Sequence, residues 1–259
     1  MLNGLATINI ELTSRCNKAC AMCGRRKIER EYPELAKWGD MDYALLQTIE
    51  KQIPQDIVVQ FHNNGEPTLY PRLGDALRLF KGRVRCFNTN GKLLVEKADE
   101  IIENMETITV SVVQDDPDFD EQVRIVNEFK RIKGDRLPNI IYRPLGNTHA
   151  RFEDGEIVAK RILHSPMGSF DYEKEPVVPE IGVCLDFLHH PAIDRYGDVS
   201  FCVRFDPHRE GVMGDLNKDS LDKIWNSSLR QYYLDKHIRG LRRHVPLCCK
   251  CEYWGCPRS

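Results

Sequence analysis

No stretch of this 259-residue chain approaches the ~20 consecutive apolar residues that a membrane-crossing helix needs. The opening Met1-Leu2-Asn3-Gly4 lacks the basic-then-apolar pattern of an export signal. Charge of one sign is not in excess either. The 37 basic and 39 acidic residues leave a formal −2, so no broad field gathers nucleic acid or an anionic membrane. The basic stretches Arg25–Arg30 and Arg239–His244 have no interleaved aromatics and read as solvated faces rather than a stacking platform for bases. There is no low-complexity segment. A cytoplasmic globular enzyme or binding protein is the expectation, with neither nucleic acid nor membrane as a partner. Hydrophobic residues at 41% and charged residues at 29% suffice for one main domain and a small annex.

What the chain has in excess is cysteine, ten in all. Disulfide frameworks belong to short secreted scaffolds, which this chain is not expected to be. Nine of the ten fall into two groups: Cys16, Cys20 and Cys23, then Cys184, Cys202, Cys248, Cys249, Cys251 and Cys256; Cys86 stands alone. In a reducing compartment, grouped thiols with short spacers point to metal.

The first two-thirds repeat a strand, a loop and an amphipathic helix. Strands are predicted at Ala6–Leu12, Ile57–Phe61, Val84–Asn88, Thr107–Val113 and Asn139–Arg143. Between them, Asp40 is placed to cap a helix with Leu45, Leu46, Ile49 and Ile53 on one face, and Pro71 to open one with Leu73, Leu77 and Phe80. Two further helices carry Leu94, Ala98, Ile101 and Met105, then Ile125, Phe129 and Ile132. Such alternation gives parallel βαβ units in a barrel or a doubly wound sheet. Residues 145–183, rich in Gly and Pro, read as a connector with one weak helix around Glu153–Leu163. His190–Val203 reads as a hairpin turning at Tyr196-Gly197-Asp198, followed by a helix with Leu221, Ile224, Trp225 and Leu229.

Cys16, Cys20 and Cys23 are spaced C-x3-C-x2-C in the loop after the first strand. At this cysteine content the pattern arises by accident only ~0.015 times in such a chain. Thiolates suit zinc or iron–sulfur, and structural zinc wants four protein ligands. Only three are local here, so the choice lies between a zinc knot borrowing a distant thiol and a cluster with one open iron.

This segment resembles the cluster loop of the radical S-adenosylmethionine (SAM) enzymes. The resemblance implies that Cys16, Cys20 and Cys23 hold a 4Fe–4S cluster whose fourth iron binds SAM. Reductive cleavage then yields a 5′-deoxyadenosyl radical that abstracts a substrate hydrogen, with the electron coming from an external reductant such as flavodoxin or ferredoxin. Met22 stands where the family often has an aromatic, its backbone beside the adenine. Asn63-Asn64-Gly65-Glu66-Pro67 resembles the family's G-x-G-E-P turn, with Asn63 in place of the first glycine, so Gly65, Glu66 and Pro67 are expected at the SAM amino group. Asn88-Thr89-Asn90-Gly91 is similar to its T-N-G turn. Ser111 and the downstream Arg124 resemble the pair that holds the ribose and carboxylate of SAM. The likeness covers roughly residues 6–143.

Cys184 and Cys202 flank the hairpin turn, and Cys248 and Cys251 lie at C-x2-C spacing. On residues alone both zinc and a cubane are admissible. The pattern resembles the opening of the SPASM domain, an auxiliary-cluster extension of radical SAM enzymes, shortened as in the twitch domain of an aminoglycoside-pathway dehydrogenase. That likeness implies a second 4Fe–4S cluster on Cys184, Cys202, Cys248 and Cys251, saturated by thiolates and suited to electron transfer, with Cys249 and Cys256 spare or one of them in place of one of these four.

Cys86 reads first as a small core residue and second as a hydrogen donor to a substrate radical. Arg143, at the end of the fifth strand, is a candidate for substrate binding or proton removal, with a surface or SAM-binding role as the equal alternative, and His62 for a structural histidine. The expected whole is α/β: a partial (β/α)6-type radical SAM barrel over residues 1–165, then a connector and a small twitch/SPASM-like domain over 166–259. The expected reaction is oxidation of a small polar, sugar- or aminocyclitol-like molecule, the auxiliary cluster accepting an electron. The alternatives are epimerisation or crosslinking of a peptide, against which the absence of a recognition domain before the first strand weighs, and a non-enzymatic zinc protein.

Overall fold

The computed structural model describes residues 2–113, 116–145, 157–159, 183–203, 206, 208–249 and 251. Its strands and helices run β1 (Thr7–Ile10), α1 (Gly24–Glu31), α2 (Tyr43–Glu50), β2 (Val58–Gln60), α3 (Leu73–Leu79), β3 (Val84–Thr89), α4 (Ala98–Ile101), β4 (Thr107–Val113), α5 (Phe119–Lys133), β5 (Asn139–Leu145), β6 (Ile157–Val158), α6 (Leu185–His189), β7 (Ala192–Ile193), β8 (Asp198–Ser200), β9 (Val212–Asp215), α7 (Leu221–Trp225), α8 (Ser228–Ile238) and α9 (Pro246–Cys249). The nine strands form one sheet in the order β6-β5-β4-β3-β2-β1-β7-β8-β9. Strands β1 to β6 are parallel, as expected of a (β/α)6-type partial barrel.

Alternation sorts each strand into two faces. Ile8, Ile10, Val59, Phe61, Phe87, Ile108, Val110 and Val112 point to the helices and join one core with Leu46, Ile49, Leu73, Leu77, Ile101, Val126 and Phe129. Each such aliphatic side chain contributes about 1.5–3 kcal/mol by leaving water. The opposite, inner face is mixed, with Val58, Val84, Ile141 and Leu145 at its edges and a polar middle. Asn9 stands in register with Gln60, Gln60 with Cys86, and Cys86 with Thr107. Cys86 is half-buried and lies outside the apolar core, so the first reading of this residue, as core filler, is corrected to an inner-face position.

The C-terminal part does not stand apart. Strand β7 runs parallel to β1, with Ile10 opposite Ile193, and turns back into β8, with Ile193 opposite Val199. The turn is the expected one. Gly197 takes φ +93, and a Cβ there would approach Asn217 to 3.0 Å. Asp194 Oδ1 accepts from the backbone N–H groups of Tyr196 and Asp198.

Several local expectations fail for physical reasons. The cap of α2 is Asp42, whose carboxylate accepts from Ala44 and Leu45 N–H, while Asp40 is held by Arg15. Ile157–Val158 pairs with Ile141 and Tyr142 as an edge strand rather than lying in a helix. Arg25, read as solvated, is buried, stacked over Trp38 and bonded to the Ser14 carbonyl at 2.7 Å. Leu229 is exposed because a break at Asn226–Ser227 rotates α8, which buries Arg230, Tyr233 and His237 instead. The boundary expected at residues 165 and 166 lies outside the described residues.

Candidate active site

The exits of β1, β2, β3 and β4 meet at one end of the sheet, where βα barrels place their chemistry. After β1 the chain passes Glu11–Ser14 and opens into the three-cysteine loop. Arg15 fastens its first turn by a two-pronged bond to Asp40 at 3.0 and 2.7 Å and a third bond to the Leu69 carbonyl. Cys23 then starts α1, its own N–H donating to the Cys20 carbonyl at 3.0 Å. All three thiols are half-buried. Burial pushes Cys20 up to about 11 and raises Cys16; the charges of Cys23 and Cys16 add to the rise of Cys20, and that of Cys23 to the rise of Cys16. Such thiols resist losing a proton to water but exchange it readily for a cationic metal. Three thiols on one loop thus fit a cluster with an open iron. Among the described residues, no three His, Cys, Asp or Glu side chains converge as ligands of one metal ion do.

The second strand exit explains why glycine is required at 65. A Cβ there would lie 2.0 Å from the Thr13 carbonyl oxygen, and the Glu66 N–H donates to Arg15 O at 2.8 Å. Asn63, which replaces a glycine of the resembled motif, has no left-handed backbone and tolerates its side chain. Pro67 begins a 3-10 turn over Pro67–Leu69. Glu66 is buried, and its two oxygens accept from Thr68 N and Oγ1, from Thr89 Oγ1 at 2.8 Å and from Asn90 N at 2.7 Å. Burial raises this carboxyl and the four donors oppose the rise. The carboxylate therefore joins two turns of the protein.

Asn90 reaches back to the cysteine loop, its Nδ2 lying 2.8 Å from Asn17 Oδ1 and 3.9 Å from Cys16 Sγ. Lys18, between Cys16 and Cys20, pairs with Asp116 after β4, both nearly buried. Gln122 was not anticipated. It is buried in the first turns of α5 and donates to the carbonyls of Asn90 and Ser111 at 2.7 and 2.9 Å. A polar residue on the buried stripe of Val126 and Phe129 was the available signal. Met22 is half-buried between Cys20 and Cys23, and Ser111 is half-buried within β4, two residues before its end. The structure does not bring Arg124 to them: it lies on the surface of α5, 76% exposed, beside Glu121.

Further down the inner face, Cys86 and Arg143 sense one another. Burial pushes the Cys86 thiol up to about 11, and the Arg143 guanidinium pulls it back. Glu11 is buried, accepts from Asn64 N and Nδ2, and is raised by burial and by Asp194. His62 bonds Asn88, and His190 bonds Asn9 at 2.7 Å. This inner face offers amide, carboxylate and imidazole groups rather than an apolar groove.

The second thiol group gathers where β7 to β9 meet α9. Burial raises Cys184 and Cys248, and the charges of Cys184, Cys248 and Cys251 register on one another. Cys249 turns away, its Sγ on the Pro246 carbonyl at 2.9 Å. Cys202 follows β8, its N–H on Ser200 Oγ at 3.1 Å. Cys256 lies outside the described residues. The donor set fits a thiolate-bound cluster by its chemistry: Cys184, Cys248 and Cys251 lie close enough for their charges to act on one another, and Cys202 follows the neighbouring strand β8. His237 is fully buried beside Cys248, held neutral by burial at about 4.

Comparison with known proteins supports both halves. Residues 184–256 match the SPASM family, an iron–sulfur cluster-binding domain. A tungsten-containing aldehyde ferredoxin oxidoreductase cofactor-modifying protein of Pyrococcus furiosus is 36% identical over 109 residues, which is 40% of this chain and 28% of that protein. The chain therefore spans well under two-thirds of that relative. Among solved structures, BtrN in complex with AdoMet and 2-DOIA superposes with a TM-score of 0.69 at 18% identity, over 95% of this chain and 92% of that one. Streptococcus suis SuiB bound to precursor peptide SuiA gives 0.62 at 13% identity, over 88% and 66%. The enzyme anSMEcpe with bound AdoMet gives 0.60 at 12% identity, over 95% and 88%. The chain has the fold of these proteins, the radical SAM barrel with a SPASM-type extension. No helix among the described residues is long and apolar enough to cross a membrane.

Proposed function

We propose that this chain, a radical SAM fold ending in a SPASM iron–sulfur domain, is an oxidoreductase acting on a small polar substrate such as a sugar or aminocyclitol alcohol. With its groups bound, the first cluster and SAM would supply a 5′-deoxyadenosyl radical for hydrogen abstraction, and the second cluster a site for the electron the substrate radical releases. The protein's part is to hold and orient. Cys16, Cys20 and Cys23 are assigned to the first cluster, and Cys184, Cys202, Cys248 and Cys251 to the second. Met22, Gly65, Glu66, Pro67 and Ser111 shape the SAM site, Glu66 by tying its turns together. Arg124 is retained only as a residue that would have to swing inward from the surface.

The observation that carries the substrate class is the inner face. Gln60, His62 and Asn88, half-buried in neighbouring rows, with Asn9 and Glu11 buried behind them, set hydrogen-bonding groups along this face, which reward hydroxyl and amine groups and penalise apolar side chains. The 2-DOIA bound by BtrN agrees with this. A peptide substrate, as in SuiB with SuiA, is the competing reading, and Cys86 is the residue through which it would act as an epimerase.

The test is turnover of the anaerobically reconstituted enzyme in heavy water with a panel of polyols and aminocyclitols. A dehydrogenase consumes one SAM per product and leaves the product carbon free of deuterium, and Cys86→Ser remains active. One deuterium per product with dependence on Cys86, or reaction only with peptides, overturns the proposal.

A further inference from the structure

We infer that His237 is a positioning residue for the auxiliary cluster, donating a hydrogen bond from Nε2 to Cys248 Sγ and raising the reduction potential of that cluster. The inference rests on the auxiliary-cluster reading above. Nε2 lies 3.7 Å from Cys248 Sγ, within range for a sulfur acceptor. The ring is not free to leave. It is fully buried and stacked on Phe187 at 4.3 Å and 20°. Phe187 follows Cys184 by three residues on α6 and packs edge-on against Phe201, the neighbour of Cys202. One imidazole thus touches Cys248 directly and the Cys184 segment through Phe187, which in turn packs on the neighbour of Cys202.

The direction of the bond follows from ligation. A free Cys248 thiol can donate or accept, but a thiolate bound to iron has lone pairs only. His237 must then be the donor, through Nε2–H, in either protonation state. A donor aimed at a cluster sulfur stabilises the reduced cluster, which carries the extra negative charge, more than the oxidised one. Full burial strengthens the effect because no water competes for the sulfur. Neighbours of ligands tune metal sites in this way without binding the metal. The consequence is a second cluster better able to take an electron from a substrate radical.

The test is an EPR-monitored redox titration of the holoenzyme. His237→Phe, which keeps the stacking and removes the donor, is expected to move the auxiliary midpoint to more negative potential and leave the SAM-cluster midpoint in place. His237→Gln, with an amide N–H, is expected to restore part of the shift. A merely structural histidine would leave both midpoints unchanged, and an unchanged auxiliary midpoint in a fully loaded His237→Phe enzyme overturns the inference. Should that variant lose iron, the wild-type holoenzyme labelled with 15N-histidine decides. Pulsed EPR of the reduced auxiliary cluster should show one weak 15N coupling. No coupling, or a strong one from an iron–nitrogen bond, overturns it. Wild-type iron near four rather than about eight per chain would instead reject the auxiliary-cluster reading itself.

Discussion

Glu66 and Asn90 lock two strand exits together: the Asn90 backbone N–H donates to Glu66 Oε2 at 2.7 Å, while the Asn90 side chain reaches Asn17 in the cysteine loop. The position of the cluster loop is thus coupled to a buried carboxylate that lies on another turn. Glu66→Gln replaces one acceptor oxygen by an NH2 group and leaves at least one donor facing a donor. The expected cost is about 1–3 kcal/mol, read as a lower Tm of the apoprotein, together with weaker SAM binding to the reconstituted protein by calorimetry. Unchanged Tm and affinity would mean that the four bonds are redundant.

Gly65→Ala probes the same turn from the other side. Because the added Cβ would overlap the Thr13 carbonyl at 2.0 Å, and that neighbour is backbone, the turn must move. SAM affinity should fall at least tenfold, equal to about 1.4 kcal/mol, with the auxiliary-site iron retained. Wild-type SAM binding in Gly65→Ala would show that the two segments can separate freely.

How far these features were legible depends on whether their causes are local. The three-cysteine loop, the glycine at 65 and the hairpin at Gly197 declare themselves through short spacings, because ligand sets and tight turns are made by neighbours in sequence. Burial across the fold leaves no such trace. Arg25 sits in a run of charges yet is buried, because Trp38 and the Ser14 carbonyl come from elsewhere. Gln122 serves the site through two carbonyls on other segments. The strand at Ile157–Val158 exists because β5 offers it an edge, and a two-residue strand has no period to read. Asp40 and Asp42 are both competent caps by composition, and only the partner Arg15 separates them.

Arg85 and Glu106 should set part of the acid stability of the barrel. Their ion pair, at 2.7 Å, joins β3 to the turn before β4, with Arg85 buried. Bonds from Arg85 hold the Glu106 carboxyl below its ordinary value of 4.5, against burial, which raises it. As pH falls, the unfolded chain therefore takes this proton first. The stabilisation is present above about pH 4.5 and is lost as the pH drops through the lower folded value. Glu106→Gln should lower stability at pH 7 by about 2 kcal/mol, the scale of hydrogen bonds to a charged group, and flatten the acid limb of a denaturation series. A variant whose acid limb parallels the wild type would remove this pair from the account.

Cys248 and Cys249 are adjacent, and the structure separates their roles. Cys248 is buried beside His237, and Cys251 and Cys184 act on it more strongly than Cys249, whose Sγ lies against the Pro246 carbonyl of its own helix. A helix turns by about 100° per residue, so adjacent side chains face different ways. Both cannot serve one cluster without unwinding α9. Cys249→Ser should therefore retain about eight iron atoms per chain, the content of two cubanes, and the full EPR signal of the auxiliary cluster. Cys248→Ser should keep the SAM cluster, bleach part of the visible absorbance and bring the iron towards about four. Cys184→Ser should match it, because both remove one corner of the same site. If Cys249→Ser is the variant that loses iron, α9 must rearrange on loading, and the spare and ligating thiols exchange places.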